Sequence, residues 1–93
     1  MPAQSDLVYD NVARSRFELA VEGGLAFATY RRTADTVIIT HTETPPALRG
    51  KGIATRLVEG ALAMIRAENR KPIAGCSFVA DYMAKHPEAA GPV

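Results

Sequence analysis

The hydrophobic repeat changes once along this chain, at Thr44-Pro45-Pro46, and that change fixes what each half can become. Before it, apolar and polar residues alternate as on a half-buried strand. RFELAV (16–21) sets Phe17, Leu19 and Val21 against Arg16, Glu18 and Ala20. LAFATYR (25–31) sets Leu25, Phe27 and Thr29 against Ala26, Ala28 and Tyr30, and TVIITHTE (36–43) is rich in β-branched residues. Glu22-Gly23-Gly24 and Thr33-Ala34-Asp35 are turn sequences, so the three strands predict an antiparallel meander. Proline cannot donate to a ladder, so the sheet run stops at Pro45-Pro46.

After the prolines, Ile53, Leu57, Val58, Ala61, Leu62 and Ile65 recur at three- and four-residue spacing, which predicts a helix from Gly52 to about Asn69. Cations at its negative end and Pro72 just beyond terminate it. Lys71 to Gly75 reads as a short strand. A second helix runs from Ser77, a candidate cap, to Lys85 and stops at His86, because the residue before Pro87 avoids the α region. Residues 1–13 and 88–93 show no usable period and are expected to be loose. The order β-β-β-α-β-α makes the first helix a crossover, so the third and fourth strands run parallel. The fold class is therefore α+β, a mixed α/β sandwich.

Composition bounds the rest. Ninety-three residues make one domain, which at this size buries roughly two thirds of the surface of its unfolded chain. With 47% hydrophobic and 23% charged residues the chain is an ordinary globular one. Nothing approaches the roughly 18 apolar residues of a membrane span, and MPAQSDLVYDN has no signal-peptide core. One cysteine, Cys76, excludes an internal disulfide and a cysteine-rich zinc site. The expectation is a soluble, cytoplasmic protein with no metal, a monomer or weak dimer. A net charge of +1 points to neither nucleic acid nor membrane. Yet between Arg49 and Lys71 six cations stand against Glu59 and Glu68 alone, a local field suited to a small polyanion.

The segment that carries chemistry is TPPALRGKGIATRLV (44–58). The helix opens without Ser, Thr, Asp or Asn at its cap and has Arg49, Gly50, Lys51 and Gly52 there instead. An uncapped first turn leaves amide N–H groups pointing outward, with about half a positive charge from the macrodipole. Glycines permit close approach, so the junction fits a phosphate, above all a diphosphate. It is not a P-loop, because Ile53 rather than Lys follows Gly52, and no G-x-G-x-x-G can be drawn. The Gly-hydrophobic-Gly hairpin of nucleic-acid binders is excluded by Lys51 between the glycines and by the prolines before them.

Arg49-Gly50-Lys51-Gly52-Ile53-Ala54 resembles the acetyl-coenzyme A loop of the GNAT acetyltransferases, Gln/Arg-x-x-Gly-x-Gly/Ala. RFEL, THTE, PPALRGKGIATRLVEGAL and CSFVADYMAKHPE are similar, in order and spacing, to a compact GNAT subfamily of about this length, over residues 8 to 88. The resemblance implies a minimal GNAT fold in which the parallel strands splay around the pantetheine arm of acetyl-coenzyme A. The arm would pair with the strand edge at Thr42, Glu43 and Thr44. The diphosphate would sit on the loop and first turn from Arg49 to Thr55. The thioester would reach the gap near His41 and Cys76. The implied activity is N-acetyl transfer to an amine on a small molecule or protein. A non-catalytic acyl-coenzyme A binding module of the same fold is the alternative, since 93 residues leave the acceptor side short.

Transfer to an amine needs a proton acceptor and a route for protonating the leaving thiolate. His41 is one base candidate, placed by alternation on the same face as Val37, Ile39 and Glu43. Glu43 is the second, a role that strand-end carboxylates play in some GNAT enzymes. Cys76, at the start of the last helix, reads as an acylated nucleophile, a hydrogen-bonding group beside the thioester, or a small core residue. Tyr82 resembles, loosely, the family's tyrosine that protonates the thiolate. Lys85 and His86 lie at the far end of that helix, where a solvated pair is expected.

Overall fold

Strand alternation and one amphipathic helix decide the architecture seen in a computed structural model, which describes residues 8–50 and 52–87. The strands are β1 (Tyr9–Asn11), β2 (Arg16–Val21), β3 (Gly24–Arg32), β4 (Thr36–Glu43) and β5 (Lys71–Ala74). The helices are α1 (Ile53–Ala67) and α2 (Ser77–Lys85), and single 3₁₀ turns occupy Val12–Arg14 and Pro46–Leu48. The sheet runs in sequence order, with β1 to β4 antiparallel and β5 parallel to β4. This is the expected α+β class with its crossover helix. Among the described residues no helix is long and apolar enough to cross a membrane.

One face of the sheet and one stripe of each helix make the core. Phe17, Leu19, Ala26, Ala28, Tyr30, Val37 and Ile39 face the buried residues of α1, which are the six that the helical period singles out. The methyl side chains of Ala26 and Ala28 leave room for α1 to approach β3. Val79 and Tyr82 of α2 join the same cluster. The turns follow their sequences: Gly23 takes a φ of 99° between β2 and β3. The Thr33 hydroxyl accepts from the amides of Asp35 (3.2 Å) and Thr36 (2.9 Å). At the far edge, the amides of Lys71 and Gly75 bond the carbonyls of Asp35 and Ile39, so the backbone nitrogen of Pro72 lies on the side away from β4 while its ring is buried.

Two expectations need correction. Residues 1–13 are not all irregular, because Tyr9–Asn11 pair with Arg16–Glu18 as an edge strand. Three residues show no period; the strand is held by side chains. Asn11 Nδ2 donates to Glu18 Oε2 at 3.0 Å, and Arg16 pairs with the same oxygen. With the Tyr9 hydroxyl as its strongest partner, Glu18 is only 3% exposed and still held below the usual carboxylate range. The second correction concerns the cap of α2: Cys76, with extended backbone, occupies it, and Ser77 is the first helical residue. Residues 1–7 and 88–93 and Lys51 lie outside the described residues.

Arg32 ties the end of the sheet that is remote from Pro45. Its guanidinium donates to Asp10 (2.8 Å), to the Tyr30 hydroxyl (2.9 Å) and to both oxygens of Glu68 (2.7 and 3.1 Å). Arg70 adds a bond to Glu68 and another to the Thr33 carbonyl. Glu68 stands at the negative end of α1, where a carboxylate is otherwise unfavourable. Chiefly through Arg32, it is held below its usual value of 4.5. A carboxylate with a lower pKa when folded binds fewer protons in that state. Its contribution is complete above 4.5 and fades as pH falls through the folded value. We expect Glu68→Gln to cost about 1 kcal/mol at pH 7, discounted for its partial exposure, or about 4–8 °C in Tm. Thermal melts at pH 7 and pH 3 should show the gap between variant and parent narrowing in acid; an equal gap at both would exclude the linkage.

Candidate functional site

β4 begins as a regular strand and ends as something else. Val37, Ile38 and Ile39 pair with Arg32, Arg31 and Tyr30, but His41, Thr42 and Glu43 pair with Thr29, Ala28 and Phe27, so Thr40 is one residue too many. This is a β-bulge, and it shifts every later side chain to the other face. The Thr40 hydroxyl, left over in the ladder, bonds to the Thr29 hydroxyl at 2.9 Å. His41 and Glu43 therefore do not share a face with Val37 and Ile39, as unbroken alternation requires. Val37 and Ile39 are fully buried, whereas His41 and Glu43 are 59% and 51% exposed. They meet each other instead, His41 Nε2 lying 2.9 Å from Glu43 Oε1.

β5 leaves β4 at the same point. Thr36↔Lys71 through Ile39↔Ala74 are paired, and a last bond runs from the Gly75 amide to the Ile39 carbonyl at 2.8 Å. Beyond it the chain turns through Cys76 into α2, while β4 continues to Glu43. A side chain at position 75 would not fit: its Cβ would lie 2.8 Å from the Ile39 carbonyl oxygen and 3.3 Å from Thr40 Cα. Ile39 turns its carbonyl toward β5, and the register after the bulge turns the backbone N–H and C=O of Thr42 toward the same side.

Beyond the last rung the end of β4 borders a cavity of about 460 Å³. One wall is His41, Thr42, Glu43 and Thr44; the other end is Leu48, Arg49, Gly50, Gly52 and the first turn of α1, Ile53, Ala54 and Thr55; Phe78 of α2 closes the remaining side. The loop is shaped for exposed donors. Gly50 and Gly52 have φ of 82° and 76°, in the left-handed region, and among the described residues, chain neighbours aside, nothing lies within 4 Å of where their Cβ atoms would be. No side chain caps α1, and its first bond runs from the Arg56 amide to the Gly52 carbonyl at 3.0 Å. The amides of Ile53, Ala54 and Thr55 precede that rung. The Arg49 Nε bonds the Thr44 carbonyl at 3.3 Å, which holds the loop against the end of β4.

The cavity thus gathers nearly all the residues expected to contact a phosphate ligand, together with His41 and Glu43. It does not gather the remaining candidates. Cys76 is half-buried at the cap of α2 and packs against the core. Tyr82 is buried, with its ring 4.4 Å from that of His86. Lys85 pairs with Asp81 at 3.2 Å. Two lining residues escape a reading by pattern. Leu48 sits in a stretch without period, and Phe78 flanks the Val79–Tyr82 stripe, so either passes for ordinary packing. Among the described residues no group of three or more His, Cys, Asp or Glu could hold a metal ion.

The family model of the GCN5-related N-acetyl-transferases matches residues 16–91. Protein NATD1 of Xenopus tropicalis is 36% identical over 52 residues, which cover 56% of this chain and 48% of that protein. Protein NATD1 of Gallus gallus is 37% identical over 51 residues, 55% and 46% of the two chains. For Protein NATD1 of Homo sapiens the figures are 37% over 51 residues, 55% and 45%. The chain spans about half the length of the curated relatives it matches.

If the apex is set by Gly75, its replacement is costly. Gly75→Ala should destabilise the fold by about 1–3 kcal/mol, since the clash is with backbone that cannot swing away. Urea unfolding would measure it, and a midpoint unchanged from the parent would contradict the close approach.

Proposed function

The chain belongs to the GCN5-related N-acetyl-transferase family, and from that premise we propose that it binds acetyl-coenzyme A and transfers the acetyl group to an amine by direct attack. What supports the reading is a single arrangement: an uncapped helix start with two left-handed glycines, opening into a cavity that borders the end of β4 past its last bond to β5. The donor set fits a diphosphate. Outward amides at Ile53, Ala54 and Thr55, the macrodipole of α1 and the charge of Arg49 and Lys51 act together there. Gly50 and Gly52 let the ligand reach the backbone. The free backbone groups of Thr42 suit the amides of a pantetheine arm, with Glu43 and Thr44 flanking it.

Acetyl-coenzyme A supplies the activated acyl group, and the chain's part is to position it and to move a proton. In this reading Glu43 accepts from His41 Nε2–H, which leaves Nδ1 with its lone pair to take the proton of the attacking amine. Both side chains lie on the exposed face, so the amine arrives from solvent rather than through the core. An open approach of this kind suits an amine carried on a large or exposed substrate. Cys76 and Tyr82 have no step in this route.

Calorimetric titration with acetyl-coenzyme A and coenzyme A, followed by intact-mass measurement, tests it. We expect micromolar binding and no covalent gain. Gly52→Val should weaken binding by at least tenfold or so, since a β-branched side chain strains a φ of 76° and covers the amides; unchanged affinity would remove the diphosphate from this loop. Cys76→Ala should bind and transfer as the parent does. A parent mass raised by one acetyl group and restored in the variant would replace direct attack by an acyl-cysteine route.

A further inference from the structure

α2 spends its apolar stripe on the core through Val79 and Tyr82. Phe78, one residue earlier, is left 38% exposed, and its ring faces the cavity with Leu48 and Ile53. The ring lies outside the core cluster, and the part of it left in water borders the cavity. Its position is informative. Phe78 follows the last rung at Gly75 by three residues and His41 follows Ile39 by two, and both border the cavity beyond that rung. On the β4 side the loop residues join the lining only after Thr44, five residues beyond Ile39.

We propose that Phe78 sets the length of the acyl group, by filling the space at the apex that the outer methylenes of a longer chain would need. The inference rests on the acetyl-coenzyme A reading above, because it assigns the narrow end of the same cavity to the acyl carbon chain. The chemistry is steric. An acetyl group ends in one methyl, while a hexanoyl group carries four more carbons past the carbonyl and meets the ring. Discrimination by shape in an apolar pocket amounts to roughly 10–200-fold per group accommodated or refused.

The test is equilibrium binding, which needs no acceptor. The full chain, Phe78→Ala and Phe78→Leu are titrated calorimetrically with coenzyme A, acetyl-, butyryl- and hexanoyl-coenzyme A. The parent is expected to bind hexanoyl-coenzyme A at least about tenfold more weakly than acetyl-coenzyme A. Phe78→Ala should bring the two within about threefold or reverse their order and Phe78→Leu should fall between, each acyl preference being taken relative to the same protein's affinity for free coenzyme A. Thermal melts check that both variants remain folded at the temperature of the titrations. If all proteins bind acyl-coenzyme A with one unchanged order of preference, or if the parent does not discriminate, Phe78 is not the selector and the acetyl-coenzyme A reading stands. If the parent binds none of the four, that reading falls and this inference falls with it.

Discussion

The hydrogen bond from the Gly75 amide to the Ile39 carbonyl is where the sheet stops being a sheet, and the site depends on it. Up to that rung, β4 and β5 satisfy each other's backbone; past it, the backbone of Thr42 has a polar edge and, among the described residues, no strand beside it. Backbone donors and acceptors must be paired or hydrated, so an edge opened beside an apolar core is a place prepared for a ligand or for water. Two local constraints keep the strands from closing again. Position 75 has no room for a side chain, so the chain passes tightly under Ile39 before turning away. The extra residue at Thr40 bends β4 in the other direction.

The same bulge explains what a pattern reading could and could not see. Ile53, Leu57, Val58, Ala61, Leu62 and Ile65 were legible because a helix of fifteen residues samples its period several times over. The meander was legible because its turns carry glycine and a hydroxyl in the positions that turns require. The bare start of α1 was legible from an absence, no Ser, Thr, Asp or Asn at the cap. The face of His41 and Glu43 was not, because alternation counts residues and one surplus residue inverts the count. β1 was hidden for a different reason: three residues have no period, and what holds them, Glu18 and Arg32, lies in other strands. The aromatic Phe78 looks like core in any window, and only the direction in which α2 leaves Gly75 turns it toward the cavity.

α1 is treated differently at its two ends. At its C-terminus, Glu68, Arg32, Arg70 and Asp10 neutralise one another across the end of the sheet. At its N-terminus the cap residue Gly52 offers no side chain to the first amides, and Arg49, three residues earlier, has the same sign of charge as the macrodipole. Stability is concentrated at one end of the molecule and unsatisfied binding capacity at the other. A protein arranged this way can lose affinity without losing its fold, and the reverse.

The two margins of the sheet have a further consequence. β1 offers only three residues of ladder. On β5 one of the two backbone nitrogens turned away from β4, that of Pro72, carries no N–H. An incoming strand from another copy would find a margin too short on one side and a missing donor on the other. Crowding many copies together therefore favours contacts through side chains and leaves little template for the strand-by-strand stacking that turns exposed sheet margins into fibres.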